Sequence, residues 1–450
     1  MFDLFAYLNC SHSPTVEDAW RLPEHDQPDG YTDLGFWTDL ASSLEAGGFT
    51  GLFFADAYNV ADNFRDSVDP AIRRGEQVPE NDPLPLLSAL AAATDRIGLV
   101  ATASTSLYPP YLLAKKLSTI DDLSDGRLGW NVVTSAGRLE FENVVGEYVP
   151  RDRRYDRAEE FLEVCCSLWE ASWDDDAVVR DPETGTYADP DAVSFVDHHG
   201  ESFDVPGPHM CAPTPQRTPV LFQAGSSDRG REFAARHAEA VFSFHLSRDG
   251  FASHAEDIAD RATAVGRRPD SYALYPAVTP YVAPTAAAAE RLRDRVVDAI
   301  DPETGLVRLS NHLNHDYDRY DLDAPLSDID ADGIRGALRA FTEDDRDWTV
   351  GEAAVRYARY PTAELVGTPE TVADELERWG AAGANGFVVM APLVPRTFDD
   401  VRRHLVPELR ARGLLPAAPS DPSTATTDTL RERLFGRERL PESHPGHPAE

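Results

Sequence analysis

The stretch GRLGWNVVTSAG, Gly126 to Gly137, has an apolar, β-branched core from Leu128 to Val133. It reads as a short strand. It also carries Asn131 inside it and Thr134 and Ser135 at its end. A strand that only packs has no use for an amide and two hydroxyls where it finishes. The pattern recurs. Asp56 follows GLFFA, and Thr102, Ser104, Thr105 and Tyr108 lie in and after IGLVATAST. Gln223, Gly225, Ser226 and Ser227 close PVLFQAGSS, and Ser243 and His245 lie in AVFSFHL. Taken singly, a Ser or Thr in such a place caps a helix, and Asp56 caps its loop. Taken together, they suit a ligand with many hydrogen-bonding edges and modest charge.

AGSSDRGREFA is the most specific local piece. Gly225 permits a tight turn, and Ser226 and Ser227 stand where a helix begins. Free backbone N–H groups and the positive dipole end make such a place a phosphate site, with a plain serine cap as the simpler reading. Arg151 and Tyr155, at the start of the preceding long helix, can reach the same anion, the guanidinium through its fork of donors. Other chemistries lack their signatures. No GxGxxG, GxxxxGK[ST], HExxH or GxSxG occurs. His198-His199 and the pair His312/His315 fall in polar insertions and read as solvated loop residues, so no metal is expected.

The elements that must hold these residues alternate. Strand-like runs lie at Phe2–Asn9, Gly51–Asp56, Ile97–Thr105, Leu128–Val133, Pro219–Gly225, Ala240–Leu246, within SYALYPAVTPYVA, and at Asn385–Pro392. Helical patterns separate them. Eight such units predict a (β/α)8 TIM barrel over residues 1–415, with insertions near 57–82, 174–216 and 301–350. A doubly wound open sheet is the alternative, because periodicity does not say whether a sheet closes. In a barrel the site lies at the strand C-terminal ends, where the polar residues collect. Residues 416–450 read as a polar, Pro-rich tail without structure, apart from a short helix near TLRERLF.

Bulk numbers narrow the partners. The 450 residues carry 78 acids against 42 bases, a net charge of −36, and the only lysines are Lys115 and Lys116. The acids are dispersed. Such a chain repels nucleic acid and anionic membrane, and its surface suits a salt-loaded, halophilic cytoplasm where ions screen the self-repulsion. No apolar run is long enough to span a bilayer, and MFDLFAYLNC has no basic leader region, so a cytoplasmic protein is expected. The four cysteines form no CxxC and read as buried thiols in a reducing compartment.

Longer blocks carry a resemblance. YPPYLLAKKLSTIDDLSDGRLGWNVVTS, RRYDRAEEFLEVCCSLWEASW, FVDHHGESFDVPGP, PVLFQAGSSDRGREFAA, LSNHLNHDYDRYDLDAPL and TLRERLFG follow one another as in the luciferase-like flavin monooxygenases. The similar branch contains nitrilotriacetate, dibenzothiophene-sulfone and long-chain-alkane monooxygenases. The resemblance implies a barrel that binds reduced FMN (FMNH2) and, with O2, oxygenates a small organic substrate through an adduct at the flavin C4a position. It also implies a separate flavin reductase, a homodimer and no metal. A deazaflavin-dependent oxidoreductase on the same barrel is the alternative. By the same resemblance Asp56, Thr102 (with Ser104 beside it) and Asn131 contact the flavin. Tyr155 and Ser227, with Ser226 beside it, hold its phosphate. His312, of the LSxH block, faces the substrate as the catalytic residue. Two positions depart from the family pattern: Arg151 replaces a histidine four residues before the tyrosine, and VEDAWR has Glu17 and Asp18 where a histidine precedes Trp-Arg.

Overall fold

A computed structural model describes residues 1–329, 347–417 and 428–447. Its strands are β1 (Asp3–Leu8), β2 (Gly51–Phe54), β3 (Gly98–Ser104), β4 (Leu128–Val133), β5 (Val220–Gln223), β6 (Ala240–Ser243), β7 (Ala273–Val282) and β8 (Gly386–Val389). Each pairs in parallel with the next, and β8 returns to β1 from Asp3↔Gly386 to Ala6↔Val389. The sheet is therefore closed, the barrel of the two architectures that the alternation allows. Side-chain alternation splits each strand between two cores. Phe5, Phe53, Val100, Phe222 and Tyr275 fill the inside. Leu4, Leu52, Leu99, Trp130 and Leu221 face the surrounding helices.

Helices α1 (Leu34–Gly47), α2 (Pro83–Ala93), α3 (Pro110–Leu123), α4 (Arg151–Cys166), α5 (Asp228–His237) and α6 (Arg248–Ala264) supply the outer ring behind the first six strands. Their ends follow local chemistry. Gly48, at φ 86°, closes α1, and the Ser227 hydroxyl accepts from the Gly230 N–H to open α5. After β7 come α7 (Ala286–Ala299), then α8 (Pro302–Leu313) and α9 (Val350–Tyr357). Leu306, Leu309, Val350 and Ala353 of α8 and α9 share a small core with Ala61, Phe64 and Ala71 of the first insertion. Two insertions distant in sequence thus form one cover over the strand ends.

Two features lie outside the sequence reading. A ninth strand, Ala363–Gly367, lengthens the sheet by pairing with the overhang Val278–Val282 of β7. Its five residues, AELVG, hold too short a pattern to stand out. The second concerns the tail. The expected helix is present as α10 (Leu430–Phe435), capped reciprocally by Thr429 and Glu432. However, Leu430 and Arg431 are fully buried, because α10 closes the barrel from below against Gly98 and Gly126. Arg431 donates to both oxygens of buried Glu239 at 2.9 Å, and to the carbonyls of Gln216, Thr218 and Pro219. A polar composition concealed a residue that is polar toward a buried partner rather than toward water.

Candidate active site

Beneath that cover the carboxyl ends of the strands enclose a cavity of about 490 Å³. Asp56, Thr102, Asn131, Tyr155 and His312 all line it, although they come from five separate parts of the chain. Parallel register sets the first contact. Thr102 on β3 stands opposite Asn131 on β4, both on the inward side. The Thr102 hydroxyl donates to the Phe54 carbonyl at 2.8 Å and accepts from Asn131 Nδ2 at 2.9 Å. This fixes the amide with its oxygen free. Asn131 Oδ1 is buried and has no hydrogen-bond partner in the protein. A buried acceptor left open in this way costs stability unless a ligand donor meets it.

Asp56 lies two residues beyond β2. Burial pushes its carboxyl up to about 7, with Asp82 and Glu140 adding to the effect against a hydrogen bond from Tyr58. One of its oxygens, Oδ2, is also buried without a partner. Ser104 is drawn elsewhere. Its hydroxyl accepts from Ser135 Oγ at 3.0 Å and from the Ser106 N–H at 3.2 Å, shaping the strand end rather than lining the cavity.

At one end of the cavity the backbone turns tightly between Gly225 and Gly230. A methyl group added to Gly230 would stand 2.7 Å from the Tyr155 hydroxyl and 2.9 Å from the Gly225 Cα. Only glycine fits such an approach. Tyr155 of α4 therefore meets the opening of α5 at the place where the sequence suggests an anion. Ser227 caps that helix, while Ser226 is exposed on the turn and does not line the cavity. Arg151 opens α4, and its side chain lies outside the described residues.

The other end is aromatic. Tyr7, Phe53, Phe242, Phe244, Tyr357 and Tyr360 form its wall around His312. Strand alternation could have signalled Tyr7, Phe53 and Phe242, which sit at inward positions near strand ends. Tyr357 and Tyr360 lie outside any strand, and nothing in the sequence points to them. His312 of α8 has its ring open to the cavity and a 3.2 Å hydrogen bond between Nδ1 and the Tyr357 hydroxyl. Enclosure by protein, then the charge of Arg308, holds its ionisation well below the ordinary histidine range. Arg308 is fully buried. Burial works against its charge, but Glu76 and Glu17 beside it keep it ionised. Glu17, the departure noted in VEDAWR, is thus one of two carboxyl groups set against buried Arg308 behind the wall. Among the described residues no group of His, Cys, Asp and Glu side chains is placed to hold a metal ion, and no helix is long and apolar enough to cross a membrane.

Comparison with known proteins gives a consistent result. The family described as luciferase-like monooxygenase matches residues 16–386. The dimethyl-sulfide monooxygenase of Hyphomicrobium sulfonivorans is 38% identical over 434 residues, covering 95% of this chain and 89% of that protein. The long-chain alkane monooxygenase of Geobacillus thermodenitrificans is 38% identical over 448 residues, covering 97% and 95%. The crystal structure of a riboflavin lyase, with modified FMN and riboflavin, superposes with a TM-score of 0.90 at 34% identity and covers both chains completely.

Proposed function

The chain belongs to the luciferase-like monooxygenase family and is an oxidoreductase, and from that premise we propose that it is an FMNH2-dependent monooxygenase. Its reduced flavin comes from a separate reductase, and one atom of O2 enters a small organic substrate. The reading takes the protein to be a cytoplasmic homodimer. The observation that carries it is the open acceptor of Asn131, fixed by Thr102 and facing a cavity whose far end is a glycine turn under Tyr155.

These residues fit a flavin mononucleotide. Asn131 Oδ1 would accept from the donor edge of the ring system or the ribityl chain, and Asp56 Oδ2 offers a second acceptor. Tyr155 and the α5 opening at Ser227 would hold the phosphate. When bound, reduced FMN supplies the electrons that activate O2. The protein orients and encloses. The aromatic wall excludes water from the reacting end, and the cover built by the two insertions closes it. His312, its ionisation lowered, orients a polar group of the substrate through its ring, which Tyr357 holds in place at Nδ1.

Anaerobic titration with reduced FMN and with a reduced deazaflavin tests the reading. Reduced FMN should bind preferentially, and Asn131→Ala and Tyr155→Phe should each weaken it about tenfold, the loss of one hydrogen bond in a dry site. Preferential binding of the deazaflavin, or no effect of either substitution, would overturn it.

A further inference from the structure

Among the described residues the cavity is lined by carboxyl groups and by no permanent cation. Asp56 and Glu140 are its acidic lining residues, and among the described residues no Arg or Lys lines it. Glu140 is committed to the loop, where Oε2 accepts from the N–H groups of Ala136 and Gly137 at 3.1 and 2.9 Å. Enclosure by protein and the charge of Arg308 lower the ionisation of His312. Arg308 lies behind the wall, and its charge is met by Glu17 and Glu76. An ionised carboxylate entering the aromatic end would lose its water and find no cation in return.

The wall itself is positioned at a cost. Tyr360 has φ 60°, the left-handed region that a bulky side chain rarely occupies. Arg356 Nη1 holds its carbonyl at 2.7 Å, Arg308 lies 4.5 Å from its ring, and its hydroxyl meets that of Tyr7 at 3.3 Å. The ring so placed stacks on Phe244, 8° from parallel with centroids 5.4 Å apart. Strain maintained by this many contacts marks a surface whose shape matters.

We infer that the substrate is an uncharged organic molecule with an apolar body, bound against the Phe244–Tyr360 pair, and that this end of the cavity, which offers no cation among the described residues, excludes carboxylate-bearing substrates. The inference rests on the flavin reading only for which end of the cavity takes the substrate.

The test uses a matched probe pair, methyl phenyl sulfide and 4-(methylthio)benzoate, which differ by one carboxylate. Binding is measured by calorimetry on the full chain, with and without oxidised FMN, in high salt. The neutral probe should bind at least about 30-fold more tightly. Phe244→Arg should bring the ratio below about fivefold by supplying the missing cation. Phe244→Leu, which adds no charge, should weaken the neutral probe while the carboxylate remains excluded; it separates the charge effect from damage to the wall. Equal binding, tighter binding of the benzoate, or no saturable binding of the neutral probe would overturn the inference. Failure of FMN itself to bind, with the neutral preference intact, would overturn the flavin reading and leave this one standing.

Discussion

At the scale of single residues, Asn131 and Asp56 share a property: each has a buried oxygen with no partner in the protein. Evolution rarely leaves such groups without use, and both face one cavity. Asp56 adds a pH signature. Its folded-state ionisation lies near 7 against 3.8 for an exposed aspartate. A raised carboxyl destabilises the fold fully above pH 7, and the penalty fades as the pH falls toward 4. Asp56→Asn should therefore stabilise the ligand-free protein by roughly 2–4 kcal/mol at pH 8, and by progressively less toward pH 5. Urea unfolding at the two pH values measures this, and an equal gain at both would contradict it. These polar residues were legible in the sequence because each interrupts an apolar strand end. Ser104 and Ser226 were legible in the same way, yet the first turns to Ser135 and the second to solvent. Position at a strand end shows that a side chain is near the mouth, and the loop beyond decides where it points.

Among the elements, α10 shows where reading by composition failed. A charged, Pro-rich stretch is ordinarily solvated, yet Arg431 is fully buried. The resemblance of TLRERLFG marked the helix but not its place beneath the barrel. Glu239 is the buried counter-charge. Burial opposes its ionisation, but Arg431 outweighs that and draws its carboxyl down to about 2. A depressed carboxyl adds stability above its unfolded value near 4.5, and that stability disappears as pH falls from there toward 2. Arg431→Met should cost about 3–5 kcal/mol because it removes the main partner of a buried carboxylate and leaves it only Arg437, at 3.2 Å. Adding Glu239→Gln should recover much of the loss. Thermal unfolding of the single and double variants checks this; additive losses would show that the two groups do not act as a pair. The short strand Ala363–Gly367 escaped notice for another reason. Its partner is the overhang of β7, 80 or more residues earlier, and no local pattern encodes such pairing.

For the whole molecule, the alternation of eight strand and helix units carried the architecture, because βαβ crossovers leave few ways to arrange a parallel sheet. Closure was not legible, since it depends on a pairing between the first strand and the last. The net charge of −36 is a property of the entire surface. Screening of that self-repulsion predicts that the melting temperature rises as KCl goes from 0.1 to 2 M, by more than for a neutral barrel of the same size. Thermal scans across that range test it. A melting temperature independent of salt would mean that the acids are too far apart to repel.

Pairing of β1 with β8 also sets a timetable. β1 leaves the ribosome early, but its neighbour through Asp3↔Gly386 follows about 380 residues later. At ordinary rates of synthesis that is a delay of roughly 20–80 s. Throughout it, an apolar strand has one edge open to any other nascent chain. Slowing translation should thus raise the aggregated fraction of this protein, whereas the finished barrel, in which β8 covers that edge of β1, should be indifferent to crowding.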